Sequence, residues 1–266
     1  MVHLFGFIFA ITMIKVCFGL LDMDARYYYD DIALIVVVGG TICAAVITFP
    51  MSDLFKMTKA FFRIVRKTPE EKESTVKDLV SLAQAVNVSK AALLKEIERP
   101  DINLFLKDGI DLILAGFSRD EVESIMKERI YRDREREEHY GSLLRTISKY
   151  PPAFGLVGTV LGLVALMRSV SEGADAKQIG LKMALALVAT LYGLLMTNIL
   201  LVPMSENLFN KSEHNKSNRE LIIDGILMIY DKKSPLMVQE FLNSYLPPLK
   251  RKDYLGIGKA PGGQAA

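Results

Sequence analysis

The chain has 266 residues, 33 Lys and Arg against 31 Asp and Glu, and a hydrophobic fraction of 50%. Charges that nearly cancel exclude a polyanion-binding protein and leave no case for nucleic acid as a partner. Its two cysteines, Cys17 and Cys43, both fall in apolar stretches, which excludes a disulfide scaffold or a soluble thiolate metal site.

A positive mean hydropathy (+0.23) in a chain with 24% charged residues requires segregation. Residues 1–21 form the first apolar block, interrupted by Lys15. No Lys or Arg precedes the run and no Ala-x-Ala site follows it, so it predicts a retained span rather than a cleaved signal peptide. Lys15 then snorkels or faces protein. Residues 32–51 carry no charge and have the length of a membrane helix. The segment 52–67 reads as a continuation of that helix into water, with Phe55, Phe61, Phe62, Ile64 and Val65 among its basic residues, ended at Thr68-Pro69.

Further helices are predicted at 74–87, capped by Ser74, at 90–98 after a turn at 87–89, and at 102–114. In the last, Ile102, Phe105, Leu106, Ile110, Ile113 and Leu114 recur at helical spacing and Gly116 provides the stop. Over 118–149, Ser118 with Glu121 makes a capping-box pattern, and ERIYRDREREEHY reads as a solvated helix face. That segment runs into the third apolar block, 150–167, as a rod. The fourth block is 183–204. An amphipathic stretch follows at 205–230, then a helix at 235–246 stopped by Pro247-Pro248. The Gly/Ala/Pro-rich end from 256 is expected to be disordered.

The expected fold is all-α: a polytopic membrane protein with four transmembrane helices and a helical cytoplasmic domain. The divisions are 1–51 (helices one and two), 52–149 (cytoplasmic domain), 150–204 (helices three and four), 205–255 (cytoplasmic helices) and 256–266 (tail). Lys56, Lys59, Arg63, Arg66 and Lys67 follow the second block directly, and Arg145 and Lys149 precede the third. By the positive-inside rule both termini and 52–149 are cytoplasmic, with 22–31 and 168–182 outside.

No Walker loop, Rossmann fingerprint, HExxH or CxxC is present, and His3, His139 and His214 are scattered, so no enzyme is indicated. The run GLVGTVLG lies inside a membrane helix, where Gly155, Gly158 and Gly162 permit close helix contact. Blocks two, three and four contain no Asp, Glu, Lys, Arg or His. Coupling an ion gradient to motion ordinarily needs a membrane group that binds and releases the ion, so a partner would have to supply it. The chain offers hydroxyls: Thr159 and Thr190 either bond their own helix backbones or line an ion path with nearby carbonyls. Pro152 and Pro203, at cytoplasmic helix ends, are hinges with exposed carbonyls or simple helix boundaries.

The runs LIVVVGGT (34–41), GIDLILAG (109–116), PPAFGLVGTVLGLVALM (151–167), MALALVATLYGLLMTNILLVP (183–203) and RELIIDGILMI (219–229) together resemble the flagellar stator A subunit, the MotA/PomA type. The resemblance covers about residues 2–246 in order and topology. It implies a homopentamer around a dimer of a MotB/PomB-like B subunit. Each B helix supplies a membrane Asp that binds the transported H+ or Na+, and no cofactor is needed. It also implies torque on a FliG-like rotor switch-complex protein through the cytoplasmic loop, in a bacterial inner membrane. By position, Pro152 and Pro203 resemble the family's conformational-coupling prolines. Thr159 and Thr190 resemble hydroxyls near the ion site, Ala189 stands where a second Thr is frequent, and Asp30 resembles a carboxylate at the outer end of span two. Glu96 resembles the acidic torque-loop residue, with Glu98 nearby. The family's preceding Arg is matched by Val88, so Lys90, Lys95 and Arg99 become the candidate basic partners. Ile32 stands where sodium-driven members carry a hydroxyl, leaving the ion open. The alternatives are an ExbB/TolQ-like energy-transducing subunit, a family with three spans, and a non-conducting membrane scaffold.

Overall fold

The computed structural model describes residues 28–66 and 72–256, with backbone alone for 60–66, and scattered helical positions between 6 and 20. Most of the first predicted span, and the predicted disordered tail beyond Gly256, lie outside the described residues. Among the positions that are described, Lys15 is helical and exposed.

The regular structure of the described residues is helical. Helix α1 is Asp31–Thr48 and contains one wide π turn, Ile35–Gly39. Helix α2 is Met51–Arg66. Helices α3 (Lys72–Val88), α4 (Lys90–Ile97) and α5 (Leu104–Leu114) follow. Helix α6, Arg119–Ile147, leads into α7, Tyr150–Ser171. Helix α8, Ala176–Leu195, passes through a second π turn, Met196–Leu201, into α9, Val202–Tyr230. Helix α10 is Pro235–Asn243, followed by a 3-10 turn at Pro248–Lys250.

Three boundaries differ from expectation. The second span does not continue into 52–67: Phe49 is extended (φ −127°, ψ 146°) and closes α1. Pro50 causes this, because its ring disfavours helical backbone at the residue before it. Ser74 does not cap α3 but lies within it; Ser89 is the cap, accepting from the Ala92 N–H at the start of α4. The chain does not end its helix at Pro203 either, since α9 runs on to Tyr230. The Ser118 box forms as read: the Glu121 carboxylate accepts from the Ser118 N–H at 2.8 Å, and the Glu121 N–H reaches the Ser118 hydroxyl at 3.4 Å. Gly116 stops α5 in the left-handed region at φ +87°, where a Cβ would be strained.

The chain forms two compact units, Met1–Arg66 with Glu138–Phe209, and Lys67–Glu137 with Asn210–Ala266. The first holds the apolar helices. Three helical segments of the described chain are long and apolar enough to cross a membrane: Asp31–Thr48, part of Arg119–Ser171, and part of Ala176–Tyr230. Leu156, Val160, Leu161, Val164 and Met167 stand exposed along α7, and Ile35 and Ile47 along α1. Water does not tolerate continuous apolar faces of that extent. The second unit has a conventional core in which Leu79, Leu82, Leu106, Ile110, Met126, Leu221, Ile222, Ile226 and Leu242 are completely buried. Each such side chain contributes about 2 kcal/mol of transfer free energy.

Candidate functional site

The seam between α7 and α8 is built on small residues. A Cβ at Gly158 would lie 2.5 Å from the Ala189 methyl, at Gly162 2.8 Å from Ala186, and at Gly155 3.0 Å from the Ala189 carbonyl oxygen. None fits without separating the helices, so the glycines perform the close-contact role read from the sequence. Ala189 is fully buried in this seam; it contributes backbone contact and a methyl, not an oxygen.

This close approach brings Thr159 and Thr190 together. Their hydroxyl oxygens are 2.5 Å apart. The Thr159 hydroxyl is also 3.1 Å from its own helix's Gly155 carbonyl and 3.0 Å from the Ala186 carbonyl of α8. Thr190 reaches the Gly155 carbonyl across the seam at 3.4 Å. Backbone bonding and cross-helix contact therefore coexist. Each hydroxyl carries one proton, so these four contacts cannot all be made at once, and lone pairs remain for a water, a proton carrier or a small hard cation. Both side chains are half-buried.

Two turns towards the α6–α7 junction, Pro151 and Pro152 occupy the first turn of α7. Pro152 has no N–H for the carbonyl four residues back, that of Ser148. The Thr197 hydroxyl, from the π turn after α8, takes that carbonyl at 2.8 Å. A Cβ on Gly193 would lie 2.5 Å from the Pro151 carbonyl oxygen and 3.2 Å from Pro152 Cα. Pro203 follows the same π turn by two residues, and the extra residue per turn is where a missing N–H is most readily accommodated. Thr197 and Gly193 thus join the neighbourhoods of the two prolines, although the sequence reading singled out neither. A signal was present: any proline at position i frees a carbonyl at i−4.

At the other end of the spans, the Asp30 carboxylate accepts from the Ala33 N–H at 2.8 Å and caps α1. The Asp30 N–H donates to the Tyr192 hydroxyl (3.3 Å), which donates to the Tyr28 carbonyl (2.5 Å). Asp30 therefore ties α1 to α8.

In the second unit the loop charges divide into two groups. Arg99 bonds Glu96 (2.5 Å), Asp78 (3.2 Å) and Asp101 (2.6 Å). Its hydrogen bonds to Asp101 and Glu96 raise the guanidinium pKa further, and Arg99 in return lowers that of Asp101. Burial raises the pKa of Asp78, outweighing the attraction of Arg99. Glu96 is thus half-buried in a partly exposed ion cluster centred on Arg99. Lys90, Lys95 and Glu98 are exposed around α4 and enter no ion pair among the described residues, and Val88 is 78% exposed beside them.

Fold and site together define a polytopic helical membrane protein with a helical cytoplasmic domain. Its spans place hydroxyls and carbonyls, without a carboxylate, along a tight seam. The sequence profile of the MotA/TolQ/ExbB proton channel family matches residues 98–221. The chain is 32% identical to chemotaxis protein PomA of Vibrio alginolyticus over 246 residues, 92% of this chain and 93% of that one. It is 29% identical to motility protein A of Bacillus subtilis over 266 residues, covering 98% and 96%. Its fold superposes on the flagellar MotAB stator complex from Bacillus subtilis with a TM-score of 0.86 at 25% identity, covering 94% of this chain and 98% of that one. The chain belongs to the MotA/PomA family of flagellar stator and ion-channel proteins. That membership makes it a channel subunit and not an enzyme.

Proposed function

We propose that the chain is the A-type subunit of a flagellar stator, forming with a MotB/PomB-like partner an ion-conducting complex that powers flagellar rotation. The observation that carries this reading is the Thr159–Thr190 oxygen cluster among spans two to four, which carry no Asp, Glu, Lys, Arg or His. Such a wall can pass an ion along but cannot bind and release a proton, so the partner's helix supplies the carboxylate. In this reading five copies surround two partner helices, four spans cross the inner membrane, and both termini are cytoplasmic. H+ or Na+ passes beside Thr159 and Thr190, and motion at the Pro152 and Pro203 junctions is passed to the cytoplasmic helices. The 52–149 domain presents Lys90, Lys95 and Glu98 to the rotor's switch-complex protein, with Glu96 and Arg99 holding α4 in place.

Reconstitution tests the reading. Vesicles with the chain and an unplugged partner should acidify or take up sodium, whereas vesicles with either protein alone should not. Conduction by this chain alone, at a rate comparable to the complex, overturns it. Swimming speed against external sodium at fixed pH, with and without a protonophore, separates the two driving ions. Protease or label mapping of residues 1–21 distinguishes four spans from the three of an ExbB/TolQ-like subunit.

A further inference from the structure

The break at Phe49–Pro50 gives α2 a setting that a continuous helix would not have. Two residues separate the last residue of a membrane span from α2, and even fully extended the three steps from Thr48 to Met51 reach only about 10 Å. The helix therefore starts at the edge of the hydrocarbon. Its residues divide into three stripes at helical spacing. Leu54 and Met57 pack on Leu143 and Leu144 in the core of the first unit. Met51 and Phe55 point away from that core and are 50% and 68% exposed. Lys56 and Lys59 are exposed on the third stripe, and the sequence of α2 continues with Arg63 and Arg66. The one acidic residue of α2, Asp53, borders that stripe, 3.8 Å from Lys56 and 3.8 Å from His139, which leaves Lys59 as the exposed cation outside that pair.

We propose that α2 is a membrane-surface helix that selects anionic phospholipid headgroups in the cytoplasmic leaflet. Exposed aromatic surface alongside a basic stripe is the pattern of helices lying in the headgroup region, where the rings enter the acyl boundary and the cations meet phosphate. The adjoining span holds α2 at that depth, which makes the bilayer the occupant of this face. The basic residues of α2, Lys59 foremost, carry the selection, and Phe55 sets the depth. This inference rests on the orientation of the spans given above and not on ion conduction or torque, so its failure leaves the stator reading untouched.

The experiment uses the complex with its B-type partner in vesicles of phosphatidylcholine, alone or mixed equally with phosphatidylglycerol. A nitroxide on F55C, in a C17S/C43S background, is expected to collide with oxygen in preference to a water-soluble nickel chelate. Preference for the chelate places the helix in water, and protection from both places a protein on this face; either overturns the proposal. Separately, spin-labelled phosphatidylglycerol should associate with the wild-type complex several-fold more than spin-labelled phosphatidylcholine. The K56Q/K59Q/R63Q/R66Q variant should lose that preference, and K59Q alone should lower it by up to about fivefold, the weight of one basic side chain at an anionic surface. The single variant removes an exposed side chain and keeps the test valid if the fourfold variant does not fold. Equal association of both lipids with the wild type, or an unchanged preference in K59Q, overturns the proposal.

Discussion

At Thr190 the functional and structural contributions of one side chain can be separated. Thr190→Ala removes one hydroxyl from a cluster whose protons are already outnumbered by acceptors, so the loss in stability should be only about 1 kcal/mol. Motor speed and its dependence on the driving ion should change far more; an unchanged speed-versus-sodium curve removes Thr190 from the path. Thr197 has the opposite balance. Thr197→Val leaves the Ser148 carbonyl, freed by Pro152, without its partner, at about 1–3 kcal/mol for a buried acceptor. The variant should melt earlier and swim slowly, with Thr197→Ser restoring both. Gly193→Ala is expected to prevent assembly rather than tune it, because its Cβ meets the rigid Pro151 backbone at 2.5 Å; recovery of normal amounts of complex in membranes would refute this.

For single elements, α4 provides the clearest case. Arg99 bonds Asp78 beside it, but burial outweighs that attraction and raises the Asp78 pKa. A folded carboxyl that titrates above its unfolded value favours folding fully only below that unfolded value; the benefit is lost as pH rises through the folded one. Asp78→Asn should therefore slow amide exchange in α4 at about pH 8 and change it little at about pH 4. Because Glu96 also bonds Arg99, reversing its charge should loosen α4 as well as reduce torque. Reversal at exposed Glu98 should reduce torque alone, read as stall under viscous load with unaltered exchange. The helix limits were partly legible: Ser118, Glu121 and Gly116 act through local geometry and fell where the sequence put them. Pro50 is an equally local signal, outweighed in the reading by a long apolar run.

Considered whole, the chain carries opposite pH dependences that acid can resolve. In the cytoplasmic unit Lys252 and Lys250 lower the pKa of Glu73, Arg99 that of Asp101, Ser118 that of Glu121, and Lys127 that of Glu123. Carboxylates lowered in this way stabilise the fold above their unfolded values, and the benefit is lost as pH falls through their folded values. These four outnumber Asp78, so the unit should lose stability as pH falls below about 4. A melting temperature that rose in that range would refute the assignment. Tyr245, pushed up to about 12 by burial and by its bond to Asp224, should set the alkaline limit, since its contribution is lost as pH rises through that value.

Composition and pattern determined the membrane character, the number of charge-free spans and the absence of an intramembrane carboxylate, because a hydrocarbon solvent accepts few residue types over so long a run. They also marked Gly155, Gly158 and Gly162 as a seam. Which side chains meet across that seam was not legible. The pairing of Thr159 with Thr190, the capture of the Ser148 carbonyl by Thr197 and the bond of Arg99 to Asp78 each join residues distant in sequence or on different helices. Helix periodicity specifies a face, but only the packing of one helix against another specifies the atom it meets.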